Sequence, residues 1–220
     1  MYNTYDIFIN VIENLKKNKN VKSIIHVGSS KDKIKNPNCK INDIDLFIIV
    51  EKQNENQIRK VKKINNIEFD FNYISIDGSY QFIENKTYFF LKIKDGNIIY
   101  DENNIGKEIL SLCEKKYDEG PDKLSFENKK FKVDELISEI SRLKNKEDYE
   151  EFEYEFLIYM YLHKIIKTYY LINDIWLPKD KKLFKSLKEQ DIKLYELVIN
   201  VKNENKYEKI LEVIKYALVI

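Results

Sequence analysis

Residues 42–50 read Asn42-Asp43-Ile44-Asp45-Leu46-Phe47-Ile48-Ile49-Val50, an apolar run that opens with two carboxylates one residue apart. A run this rich in aliphatic and β-branched residues predicts a strand over 43–50. Alternate side chains on a strand share a face, so Asp43 and Asp45 point the same way, about 7 Å apart along the backbone. Two acids on one face of an apolar strand repel each other and lose hydration. A divalent cation between them offsets both costs.

Two further stretches belong with this one. A short apolar run over 23–27 ends in Gly28-Ser29-Ser30. That turn serves either as an ordinary strand-to-helix connection or as a phosphate cradle, in which glycine admits a close approach and N–H groups and hydroxyls hold the anion. Residues 67–74, Ile67-Glu68-Phe69-Asp70-Phe71-Asn72-Tyr73-Ile74, alternate strictly. Glu68, Asp70 and Asn72 share one face of that strand; Phe69, Phe71 and Tyr73 share the other. Pairing beside 43–50 brings Asp70, or its rival Glu68, to the first two acids. Three carboxylates suit one or two Mg²⁺ ions held by oxygen ligands and substrate phosphates.

Gly28-Ser29, then Asp43-Ile44-Asp45 after a long lysine-rich spacer, then Asp70 on a later strand, resembles the nucleotidyltransferase superfamily that includes DNA polymerase beta. Within it the pattern is most similar to the small-molecule branch, the kanamycin and lincosamide nucleotidyltransferases. The resemblance covers about residues 22–101. It implies a small mixed β-sheet domain that transfers a nucleoside monophosphate, AMP from ATP or the equivalent from another nucleoside triphosphate, to a hydroxyl of a small-molecule acceptor such as an aminoglycoside-like antibiotic. It implies two Mg²⁺ ions held by Asp43, Asp45 and Asp70, with Asp70 on the nucleophile side, and β- and γ-phosphates held by Gly28, Ser29 and Ser30.

Composition narrows the partners. Lys+Arg 38 against Asp+Glu 37 leaves a net charge of +1, which is not the footprint of a chain that grips nucleic acid by bulk charge. Cys39 and Cys113 lack metal-ligand spacing and suit a reducing cytoplasm. No run approaches the ~20 apolar residues that span a bilayer, and the start has no signal-type core, so no membrane partner is expected. A monomer or homodimer is expected.

In chain order, helical spacing predicts a first helix over 4–17, capped by Asn3 or Thr4. A short helix is expected over 56–64. Residues 79–84 are ambiguous. Segments 87–93 and 97–100 read as a hairpin around Asp95-Gly96. A helix follows over 104–117, and Gly120-Pro121 is the strongest linker signal, so the chain divides into a catalytic domain, 1–120, and an all-helical domain, 121–220. The fold class is α/β (α+β), a mixed sheet followed by a helical bundle. On the long helix over 148–173, Phe152, Phe156, Tyr159, His163, Ile166 and Tyr170 read as the core face.

Other candidates have plainer roles. Lys31, Lys33, Lys35 and Lys40 read as a solvated loop before they read as phosphate contacts. His26 and His163 both read as satisfied core or rim histidines before they read as ligands, with His163 the better functional candidate of the two. Glu147, Asp148, Glu150, Glu151, Glu153 and Glu155 favour the helix dipole, or else wall a cationic acceptor. Trp176-Leu177-Pro178-Lys179-Asp180-Lys181-Lys182 reads as a helix start, with a loose likeness to cleft-facing segments of some nucleotidyltransferases. Two alternatives stay open: transfer to RNA or a protein partner of the toxin–antitoxin kind, and a nucleotide-binding protein without catalysis.

Overall fold

A computed structural model describes residues 3–202 and 205–219; Met1 and Tyr2, part of the start segment read above, lie outside them. Contacts divide the chain into two compact units, Met1–Glu119 and Gly120–Ile220.

The first unit runs α1 (Thr4–Lys16), β1 (Val21–Val27), β2 (Asp43–Val50), β3 (Gln57–Ile64), β4 (Ile67–Ser75), α2 (Ile76–Glu84), α3 (Tyr88–Leu91), β5 (Asn97–Asp101) and α4 (Ile105–Asp118). Its five strands form one sheet in the order β3-β4-β2-β1-β5. β2 and β4 are parallel, and the other neighbouring pairs are antiparallel. The mixed sheet followed by helices is the α/β architecture expected.

Helix α1 starts where the Asn3 side chain accepts from Asp6 N–H at 2.8 Å. Its Ile7, Phe8 and Ile12 pack on the sheet face formed by Ile24, Ile44, Leu46, Ile48, Phe69 and Phe71. Each such side chain contributes about 1.5–3 kcal/mol by leaving water. The opposite face buries Ile25, Phe47, Ile49 and Ile74. Phe47 meets Phe90 of α3 there, with ring centroids 6.1 Å apart. Both faces are therefore covered, which explains the continuous apolar runs in β1 and β2.

Three elements differ from expectation. The helix expected over 56–64 is strand β3, Gln57–Ile64. Asn65 and Asn66 both take positive φ, 47° and 66°, and reverse the chain in a tight hairpin into β4. With Ile58, Val61 and Ile64 β-branched, the segment suits a half-exposed edge. The hairpin expected over 87–100 does not form. Phe90, Leu91 and Ile93 are buried together, in a short helix and the 3-10 turn that follows it rather than in a strand. β5 pairs instead with β1. The ambiguous stretch 79–84 lies in α2, capped by the Ser75 hydroxyl, which accepts from Gly78 N–H at 3.0 Å.

The second unit contains α5 (Phe126–Ser141), α6 (Glu151–Ile172), α7 (Leu183–Gln190), α8 (Ile192–Ile199) and α9 (Lys206–Ala217) around one apolar core. Asp191 caps α8 at Leu194 N–H, 2.9 Å, and accepts from the Tyr169 and Tyr216 hydroxyls at 3.2 and 3.3 Å. The buried side of α6 is Tyr154, Ile158, Leu162, Ile165, Ile166, Tyr170 and Ile172. Of the expected core face only Ile166 and Tyr170 are inside. Phe152, Phe156 and Tyr159 are 82 %, 59 % and 53 % exposed. α6 is apolar on more than one side, so the stripe that its neighbours cover is decided by their packing, not by its own spacing.

Candidate active site

The β2–β4 register sets Asp43 opposite Glu68 and Asp45 opposite Asp70. Registered residues of a parallel pair share a face, so four carboxylates stand in a two-by-two block at one end of the strands. Asp43 and Glu68 are exposed; Asp45 and Asp70 are half-buried. Asp70 and Glu68, rivals for the third position, both belong to the block.

β1 ends with Val27 opposite Asp45, which brings Gly28 against that carboxylate. Gly28 has φ +77°, and a Cβ added there would collide with Asp45 Oδ2. A left-handed backbone and a close approach both select glycine at this point. Ser29 is exposed just beyond it. Ser30, grouped with Ser29 in the sequence reading, faces inward: it is buried, and its Oγ lies 3.0 Å from His26 Nε2.

His26 lies on the α1 side of β1, its ring 5.0 Å from that of Phe8. Burial pushes its imidazole down to about 4, with Asp32 and Lys31 pulling in opposite directions by less. It is therefore neutral near pH 7, and its Nδ1 is buried without a hydrogen bond. Ser30 and His26 together pin the turn from below.

The lysine-rich spacer is anchored by Ile34 and Ile41, which join the α1-side core. Lys31 donates to the Asp95 carbonyl, while Lys33, Lys35 and Lys40 extend into solvent.

A functional candidate absent from the sequence reading is Arg59, on β3. Its Nε donates to Asp70 Oδ1 and Oδ2 at 2.9 and 3.0 Å, and its Nη2 to Oδ2 at 2.7 Å. Asn72 Nδ2 donates to Oδ1 at 3.2 Å and is itself oriented by Gln57 Nε2, 3.0 Å from Asn72 Oδ1. The Asp70 side chain is 16 % exposed and Arg59 is 63 % exposed. Its hydrogen bonds to Asp70, then the charge of that carboxylate, hold the guanidinium above its ordinary range, with smaller pulls from Asp45 and Glu68. Those pulls mean that the neighbouring acids also lie within reach of Arg59's charge. The signal that could have found Arg59 was the β-branched content of 57–64, Ile58, Val61 and Ile64, just ahead of the Asn65-Asn66 turn.

The donor chemistry is that of a hard divalent cation: oxygens only, most of them carboxylate. Asp43 and Asp45 offer oxygens of that kind on one face of β2. Asp70 is engaged on both oxygens by Arg59, and among the described residues no three His, Cys, Asp or Glu side chains come together as a metal-ligand set.

In the second unit, His163 Nε2 and Lys167 Nζ each lie 3.1 Å from Asp180 Oδ1. Lys167, then His163, holds the Asp180 carboxyl below its usual range. The Trp176–Lys182 stretch is thus tied to α6 through Asp180. Glu155 pairs with Lys206, and Glu151 and Glu153 are exposed. No helix among the described residues is long and apolar enough to cross a membrane.

No protein-family model matches the chain, and no curated protein matches its sequence. Among solved structures the chain is similar to a nucleotidyltransferase-like protein from Exiguobacterium sibiricum 255-15, with a TM-score of 0.51 and 11 % identity, covering 97 % of this chain and 74 % of that one. At that identity the likeness is one of fold.

Proposed function

We propose that the chain is a nucleotidyltransferase that moves a nucleoside monophosphate, AMP from ATP, to a hydroxyl of a small-molecule acceptor, within a catalytic domain over 1–120. The observation that carries this reading is the registered block of Asp43, Asp45, Glu68 and Asp70 beside the Gly28 turn. The fold likeness to a nucleotidyltransferase-like protein supports it.

Gly28 lets the chain pass close to Asp45, and the turn's backbone N–H groups and the Ser29 hydroxyl hold the β- and γ-phosphates. Asp70 receives the acceptor's proton as its oxygen attacks the α-phosphorus. The new P–O bond forms as the bond to the β-phosphate oxygen breaks, so pyrophosphate leaves in line. Asp43 and Asp45, with Asp70 as the third acid once Arg59 releases it, would hold magnesium, which would supply charge neutralisation on the phosphates and acidity at the acceptor hydroxyl. An amine-rich acceptor of the aminoglycoside kind suits the carboxylate block; the net charge of +1 gives no general pull on RNA.

The test uses the full chain with Mg²⁺, α-labelled ATP and separate panels of aminoglycosides, lincosamides, tRNA and protein lysate. Label moving to a small molecule, and falling about a hundredfold or more in Asp45→Asn with unchanged thermal stability, is the expected result. Label on RNA or protein identifies another acceptor. ATP binding with no transfer to any panel member, unaltered in Asp70→Asn, overturns the catalytic reading.

A further inference from the structure

The geometry points to Arg59 as a positioning residue that holds Asp70 in place of a cation and sets how readily that acid joins a metal site. This rests on the reading of Asp70 as a metal ligand. A bidentate guanidinium–carboxylate fork is the strongest form of the pairing and directs both donors at one acceptor group. Here it occupies both Asp70 oxygens, at 2.7–3.0 Å. A divalent ion needs at least one of them. Ion and guanidinium therefore compete for one carboxylate, and one must yield.

The setting suits an exchange. Asp70 is largely enclosed, and Asn72, itself held by Gln57, steadies Oδ1 from a second side. Arg59 stands on the edge strand with most of its side chain in water. The carboxylate is the fixed partner and the arginine is the one free to leave, because a solvated guanidinium loses little on release. While Arg59 stays, Asp70 is kept in the block with its charge balanced, so the four acids do not drive the strand ends apart before an ion arrives.

Competition makes a prediction opposite to a merely structural role. Removing Arg59 should tighten the binding of the metal alone, measured on the full chain without nucleotide. The probe is Mn²⁺, with the free ion followed by electron paramagnetic resonance at physiological salt. Arg59→Ala is expected to bind Mn²⁺ roughly threefold to tenfold tighter than the unaltered chain. Arg59→Lys, which keeps the charge and loses the fork, should fall between the two. Lys60→Ala is the charge control: Lys60 is on the same strand but stacks over Tyr73 on the other face, 5.5 Å from the ring centroid. It should change affinity by less than twofold, since screening cuts off a distant exposed charge. In an Asp70→Asn background, Arg59→Ala should have no further effect.

Equal affinity in Arg59→Ala and the unaltered chain overturns the inference and leaves the nucleotidyltransferase reading standing. Equal tightening by Lys60→Ala overturns it too, as a general field effect. No Mn²⁺ binding by any variant at millimolar ion overturns the inference as well and leaves the nucleotidyltransferase reading to the transfer assay, where substrate phosphates complete the ion's ligands.

Discussion

Strand β2 and helix α6 are both apolar segments that carry residues of another kind, and they dispose of them differently. β2 begins with two acids and continues into a run buried on both faces. α6 buries five aliphatic side chains with Tyr154 and Tyr170 and leaves Phe152, Phe156 and Tyr159 outside. In the strand a period of two leaves no freedom: once Ile44 and Leu46 face the α1 side, Asp43 and Asp45 must face the other. In the helix several stripes compete, and neighbouring helices choose among them. Charges on the strand are thus held in place by burial around them, whereas Phe152, Phe156 and Tyr159 on the helix are what burial did not use.

The sharpest way to break this contrast lies in α6. Ile158→Ala should cost about 2–5 kcal/mol by opening a cavity in the helical core. Phe152→Ala should stay within about 0.5 kcal/mol. Urea denaturation of both variants checks the pair; comparable losses would mean that the outer aromatics are packed.

The next effect belongs to the sheet. His26 is neutral and buried, with its imidazole pushed down to about 4. The unfolded chain takes up its proton near the ordinary value, about 6.5, so between about 6.5 and 4 it binds more protons than the folded one. Stability from this group is therefore complete above about 6.5 and falls as pH drops toward 4, by up to about 3 kcal/mol. Chemical denaturation from pH 7 to pH 4 should show that decline, and His26→Gln should flatten it. An unchanged slope would mean that other groups set the acid response.

The smallest effect is chemical. Burial pushes the Cys113 thiol up to about 12, while Cys39 is half-buried in the spacer. A thiol reagent at pH 8 should label one cysteine in the folded chain and the second only on unfolding. Labelling of both would show that α4, which carries Cys113, opens readily.

Legibility followed the same contrast. The acid-bearing strands could be read because Phe69, Phe71 and Tyr73 alternate with Glu68, Asp70 and Asn72, and because aliphatic residues crowd 44–50. β3 was missed because an exposed edge strand needs no apolar face, and its lysines carry no period. Arg59 went unseen with it, since a guanidinium's partner is set by strand pairing, which local sequence does not encode. Ser30 was legible as part of a turn, but its inward hydroxyl depends on His26 beneath it. The 87–93 segment has strand-forming residues, and the short helix Tyr88–Leu91 that forms there instead buries Phe90 and Leu91, a placement that its own spacing does not reveal.

The parallel alignment of β2 with β4 has a further consequence for length variation in the chain. The carboxylates of the block meet through the pairing register of β2 with β4, and β3 folds back on β4 through Asn65 and Asn66. Extra residues at that tip bulge outward and leave the strand alignment intact. A single deletion inside β4 would instead slide Phe69 and Phe71 onto the acid face and send Glu68 and Asp70 into the apolar core. Indels are therefore tolerable at the bend and ruinous a few positions later.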